Sequence, residues 1–158
     1  MSARTHVSLR ILLWLLLGGW LGAMLLFAGG IARATFATVP DPSLAAKVVG
    51  LVLGRLEVSG MVLALVLSAL GGALGRGRVA VVLPLLIGAI CALNHYAVSP
   101  AVAAIDLTAP DLPAGAGARF AFLHRASVWL FGAALVGGLA LAALHAVHEL
   151  RREASRNR

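Results

Sequence analysis

Four long apolar runs divide this chain, and they constrain its fold more than any other feature of the sequence. They cover about residues 11–32, 55–74, 79–98 and 120–146. A helix of about 20 apolar residues crosses the hydrocarbon core of a bilayer, and each run reaches that length. Only 12% of the 158 residues are charged, against about 25% in a soluble domain. The sequence therefore predicts an all-α, polytopic membrane protein, in which four transmembrane helices form one bundle over residues 1–158 and the lipid bilayer is the main partner.

The segments between the runs carry signals that begin and end helices. A turn is expected over residues 36–42, where Asp41 and Pro42 form a start signal, because aspartate caps free backbone amides and proline suits the first helical position. The hairpin at residues 71–78 is so short that the second and third helices are predicted to be antiparallel neighbours. The third helix should end within residues 94–100, and residues 101–118 should be ordered at first and then flexible.

The distribution of basic residues predicts an orientation. Arginines concentrate in residues 1–10, in the hairpin at residues 71–78 and in the basic tail at residues 148–158, which by the positive-inside tendency are cytoplasmic. Both termini are therefore predicted to be cytoplasmic. The first apolar run is longer than the core of a cleavable signal peptide, so we expect it to be retained. The net charge of +7 does not indicate a nucleic-acid partner, because the basic residues flank apolar runs instead of forming one patch.

Polar residues recur where the helices reach the predicted outer surface. Ionisable groups within a span are costly, so they usually face one another or water. We therefore expect a polar cluster on the outer side that binds a small polar ligand or a metal, or relays protons. Glu57 should find its cation on another helix, at Arg33 or Arg125. The candidate ligand-binding or proton-relay residues are Arg55, Glu57, Asn94, His124, Arg125 and Ser127.

Histidines supply the candidate metal ligands. His124 and Ser127 are three residues apart and should look into the bundle together, with Arg125 at its rim. His95 and His124 are the candidate ligands for a metal such as copper, or the axial ligands of a haem. His145 and His148 have a similar spacing, but they adjoin the basic tail and are predicted to lie on a solvated interfacial face.

Two other interpretations remain open beside ligand binding or proton relay. The first is a haem or redox membrane protein with histidine axial ligands. The second is a non-catalytic structural or assembly subunit, in which glycine-rich faces, such as that of Gly18 and Gly22, recruit a partner helix or a second copy of the chain. The sequence leans away from an enzyme, because Ser127 has a histidine on its own helix face but nothing marks an oxyanion site.

The chain also resembles a known family. The segment Gly19-Trp20-Leu21-Gly22-Ala23-Met24-Leu25-Leu26-Phe27, Asn94 with Ser99-Pro100, and above all Arg119-Phe120-x-x-Leu123-His124-Arg125-x-Ser127 resemble the DUF4149 family, which is similar to the TMEM205-like membrane proteins. The resemblance covers nearly the whole chain. Family members often carry asparagine a few positions after that serine, where this chain has Trp129, Leu130 and Phe131. The resemblance implies a four-span protein of the bacterial inner membrane, distantly similar to the copper-resistance CopD and haem-pathway HemJ groups, which use membrane histidines.

Overall fold

The protein folds into four long helical rods. The computed structural model describes residues 2–105, 111 and 113–156, and this part of the chain is helical apart from short turns. All four rods are long and apolar enough to cross a membrane, by length and composition. The elements are α1 (Ala3–Leu26), a first π turn (Phe27–Ile31), α2 (Ala32–Thr38), α3 (Pro42–Ala73), α4 (Gly77–Leu93), a second π turn (Asn94–Val98), α5 (Ser99–Ala103) and α6 (Ala116–Arg156).

The rods alternate in direction and so define two ends of the bundle. We call the end with residue 2, the turn at residues 74–76 and residue 156 the termini end. We call the opposite end, with residues 39–41 and 104–105 and the start of α6, the loop end. Rods one and three are longer than predicted, because helix continues through the π turns to Thr38 and to Ala103. The expectation of a flexible loop falls on residues 106–110 and 112, which lie outside the described residues.

The start of α3 follows the sequence prediction. Oδ1 of Asp41 accepts hydrogen bonds from the backbone N–H groups of Ser43 at 2.8 Å and Leu44 at 3.4 Å, and Pro42 occupies the first turn of the helix. These two amides lower the pKa of the exposed Asp41 carboxyl, because they stabilise its charged form. The cap satisfies amides that the first helical turn cannot pair internally.

The α3–α4 hairpin is the most closely packed pair of helices, as its short turn predicts. Gly75 and Gly77 flank Arg76 with φ of +65° and +83°, values that favour glycine, so the chain reverses within three residues. A Cβ added to Gly88 would lie 2.6 Å from the Cβ of Ala64, so only glycine permits this approach. The short turn and the small residues together bring the two backbones close.

The apolar core lies along the bundle axis. Leu13, Leu17 and Leu141 are fully or almost fully buried in it. Gly18 and Gly22, expected to admit a neighbouring helix, are exposed, and an added Cβ at either would meet nothing within 4 Å. No described helix of the chain itself approaches this pair, because the neighbouring positions Leu17 and Leu21 turn the other side of α1 inward, and recruitment of a separate partner helix stays a prediction.

Candidate functional site

A buried carboxylate lies near the middle of α3. Glu57, on α3, is only 4% exposed and receives two side chains from the second π turn. The Nδ2 group of Asn94 donates to its Oε1. The Nδ1 atom of His95 lies 3.1 Å from its Oε2, within hydrogen-bonding and ion-pairing distance. We call these three residues the Glu57 site.

The two consecutive residues that reach this carboxylate lie in a π turn. In a regular α-helix, neighbouring side chains diverge by about 100°. Here the backbone N–H of Ser99 donates to the carbonyl of Asn94, five residues back, which widens the turn. Pro100 follows directly, and a proline disrupts the regular hydrogen bonding of the preceding helical turn. Single π turns are rare and often occur at functional sites; of the two in the described residues, this one carries both side chains that contact Glu57.

A small cavity adjoins the Glu57 site. Its volume is about 10 Å³, room for about one water molecule. The indole Nε1 of Trp20 lies in its wall and donates to the carbonyl of Leu56 at 3.3 Å. The Oδ1 atom of Asn94 is buried and has no hydrogen-bond partner among the described residues. The lining residues are Trp20, Met24, Leu56, Glu57, Ile90, Cys91, Asn94, Leu130, Phe131 and Ala134.

His95 connects this buried carboxylate with the surface of the bundle. Its side chain is 28% exposed, whereas that of Glu57 is 5% exposed. The imidazole packs edge-on against the ring of the exposed Tyr96, with centroids 4.8 Å apart, and lies beside Gly54 of α3. One face of the ring therefore meets the protein while part of it remains accessible. Glu57 and His95 together form a hydrogen-bonded step from the surface into the bundle.

The structure gathers only part of the predicted polar cluster. Arg55, His124 and Arg125 are exposed, and the ring of His124 stacks parallel on that of Phe120 with centroids 5.8 Å apart. Ser127 is buried, as expected. The prediction that His124 would face inward with Ser127 is wrong, because the inward face of α6 follows Leu123, Ser127 and Ala134, and His124 lies on its flank.

The predicted cation for Glu57 is also wrong. Arg33 and Arg125 are both exposed, and the side chain within ion-pairing distance of Glu57 is His95, which the sequence analysis named only as a metal or haem ligand. Asn94 and His95, consecutive residues of the second π turn, both contact Glu57. A π turn leaves no simple sequence pattern, although Pro100 five residues after His95 is a signal for irregular helix.

The proposed metal and haem ligands lie in different surroundings. His95 contacts Glu57, and His124 stacks on Phe120. Among the residues that the structure describes, no three or more His, Cys, Asp or Glu side chains are grouped to hold a metal ion. The described residues thus provide no grouped set of three ligands for a copper ion.

A second polar cluster, which sequence reasoning missed, lies at the termini end. Arg76 is 5% exposed and His145 is fully buried, so the prediction of a solvated face for His145 is wrong. Nη1 of Arg76 contacts Nδ1 of His145 at 3.2 Å and donates to its carbonyl at 3.0 Å. Glu149 pairs with both Arg76 and Arg10. We call these four residues the arginine–glutamate cluster. In the sequence, the i,i+4 spacing of His145 and Glu149 is the pattern that predicts that the two side chains share one face of the helix.

No protein-family model, curated protein or solved structure matches this chain.

Proposed function

We propose that this protein is a multi-pass membrane protein of the bacterial inner membrane, related to the DUF4149 and TMEM205-like proteins, whose Glu57 site relays protons. The termini end, with most of the arginines, faces the cytoplasm in this proposal, and the loop end faces outward. The four membrane-length helices support the membrane location. In this proposal, the Glu57 site exchanges its protons with water on the outer side, through the partly exposed His95.

The observation that carries the proposal is the contact between a buried glutamate and a partly exposed histidine. The 3.1 Å separation of Nδ1 and Oε2 allows a proton to move between the two groups with little rearrangement. Histidine is the side chain whose charge most readily changes near neutral pH, and a carboxylate inside a membrane protein usually has a functional or pairing role. His95 would exchange protons with water, and Glu57 would exchange them with His95.

Asn94 and the cavity fit this chemistry better than binding of an organic ligand. Asn94 donates to Oε1, which holds the carboxylate in place and leaves Oε2 for His95. The adjoining volume of about 10 Å³ suits one water molecule, whereas ligand pockets measure about 300–1,000 Å³. A water molecule there would meet the unpartnered Oδ1 of Asn94 and extend the relay by one step.

Infrared spectroscopy of the protein in lipid vesicles tests the relay. Protonated carboxyl groups have a C=O stretch that shifts when the proton is replaced by deuterium. We expect a C=O band of the Glu57 carboxyl that titrates with pH and disappears in Glu57→Gln. In His95→Gln this band should exchange its proton for deuterium more slowly by about 10²-fold or more, because a positioned proton-transfer group has been lost.

His124→Gln is the matched control, because it removes the same functional group from an exposed position of α6. It should leave both the titration and the exchange rate of the Glu57 band unchanged. Equal exchange rates in wild type and His95→Gln would rule out His95 as the proton donor and leave Glu57 with a structural role.

A further inference from the structure

The arginine–glutamate cluster has one positive charge more than its acid can neutralise. Arg10 from α1 and Arg76 from the α3–α4 turn both pair with Glu149 of α6. The Glu149 side chain is 13% exposed and that of Arg76 is 4% exposed, so these charges are largely withdrawn from solvent. Two guanidinium groups on one carboxylate leave a net charge of about +1, because arginine stays protonated at all accessible pH values.

His145 does not change this charge balance. A guanidinium can only donate hydrogen bonds, so the Nδ1 atom of His145 that contacts Arg76 must be an acceptor. The ring is therefore neutral, and its proton is on Nε2. His145 orients Arg76 through Nδ1 and through its backbone carbonyl, both bonded to Nη1. The excess positive charge consequently belongs to the two arginines.

The exposed side of the cluster has one further arginine near it in the helix. The side chain of Arg10 is 31% exposed, and its contacts with Glu149 use Nε and Nη2. Arg152 is exposed three residues after Glu149, on the same face of α6 by helical spacing. The cluster lies at the level of the α3–α4 turn, and the ends of α1 and α6 continue for about two helical turns beyond it. Arg10 and Arg152 thus lie beside a buried, positively charged centre at the level where α3 ends and α4 begins.

We infer that the arginine–glutamate cluster, with Arg152, binds the phosphate-bearing headgroup of an anionic phospholipid. Guanidinium groups recognise phosphate oxygens through paired N–H groups, and basic pockets between transmembrane helices bind such headgroups. A lipid fits better than soluble phosphate, because the apolar surface on the mid-bundle side of the cluster, with exposed Ile11, Trp14 and Val147, would contact its acyl chains. This inference depends on the membrane location in the proposed function, but not on the proton relay.

The test compares anionic and zwitterionic lipid as stabilisers of the purified full-length protein in detergent. Phosphatidylglycerol should raise the thermal unfolding temperature, and phosphatidylcholine with the same acyl chains should raise it less. The difference between the unfolding-temperature shifts produced by the two lipids should fall by at least half in the double variant Arg10→Gln/Arg152→Gln. This variant keeps Arg76 and so keeps the buried pair with Glu149. Arg33→Gln/Arg119→Gln, a pair of exposed arginines nearer the loop end, is the matched control and should respond as the wild type does.

Three other results would count against a lipid site at the arginine–glutamate cluster. If Arg10→Gln/Arg152→Gln keeps the full difference between the two lipids, the inferred site is wrong. If the control pair loses it equally, the effect comes from diffuse surface charge, and the inference is overturned. If inorganic phosphate alone reproduces the shift, the ligand is a soluble anion and not a lipid. Because Glu57 and His95 are unchanged in these variants, failure here is distinguishable from failure of the proton relay.

Discussion

Replacement of Glu149 by glutamine should destabilise the fold far more than a typical change near the end of a helix. The substitution preserves the size of the side chain but removes the negative charge that two arginines share. Arg76, whose side chain is 4% exposed, would then be a buried cation with no acid among its described contacts. Nothing else in the cluster supplies a negative charge, because His145 is neutral.

The expected loss of stability in Glu149→Gln follows from the burial of Arg76. Removing one partner of a buried ion pair costs about 3–5 kcal/mol, because the other charge stays desolvated. Arg10, at 31% exposed, can reorient toward solvent, and the amide oxygen of glutamine still accepts a hydrogen bond. We therefore expect a loss at the low end of that range, about 3 kcal/mol.

Glu153→Gln is the matched control for this prediction. Glu153 lies one turn further along α6 and is exposed, so the same chemical change there should alter stability by no more than about 0.5 kcal/mol. The assay is reversible unfolding of both variants in mixed micelles, followed by helical circular dichroism. Equal stabilities of Glu149→Gln and Glu153→Gln would show that the buried arrangement contributes no net energy and would refute the reasoning.

Two further predictions concern helix packing and the start of α3. Gly71→Ala should lower the free energy of unfolding by about 1–3 kcal/mol, because the new Cβ would collide with the Ala80 carbonyl oxygen. Gly18→Ala, whose new Cβ would meet nothing within 4 Å, should raise it by about 0.5–1 kcal/mol. The same unfolding assay measures both variants, and a Gly71→Ala variant as stable as the wild type would contradict the close approach of the two helices. The pKa of Asp41 is lowered in the folded protein, so its cap stabilises the fold at neutral pH and this contribution is lost as the pH falls through the folded pKa. Asp41→Ala should therefore lose less stability than the wild type as the pH is lowered. Parallel plots of stability against pH for the variant and the wild type would contradict a stabilising role of the charged Asp41 cap.

The sequence alone determined the helical framework of this protein. Four apolar runs predict four helices of membrane length, and the described part of the chain contains four. The Asp41-Pro42 start and the short hairpin were predicted correctly because both depend on interactions between residues that are near in sequence. Helix length was underestimated at Arg33 and at His95, where a π turn allows the helix to continue past the expected end.

Only the tertiary structure decided which polar side chains meet. The sequence placed Glu57, Asn94 and His124 at one level of the bundle, but the level of a residue does not specify the rotation of its helix. His124 points away from the core because the packed face of α6 runs through Leu123 and Ser127. Contacts between residues distant in the chain depend on the rotation and crossing of whole helices, which side-chain packing along their full length determines.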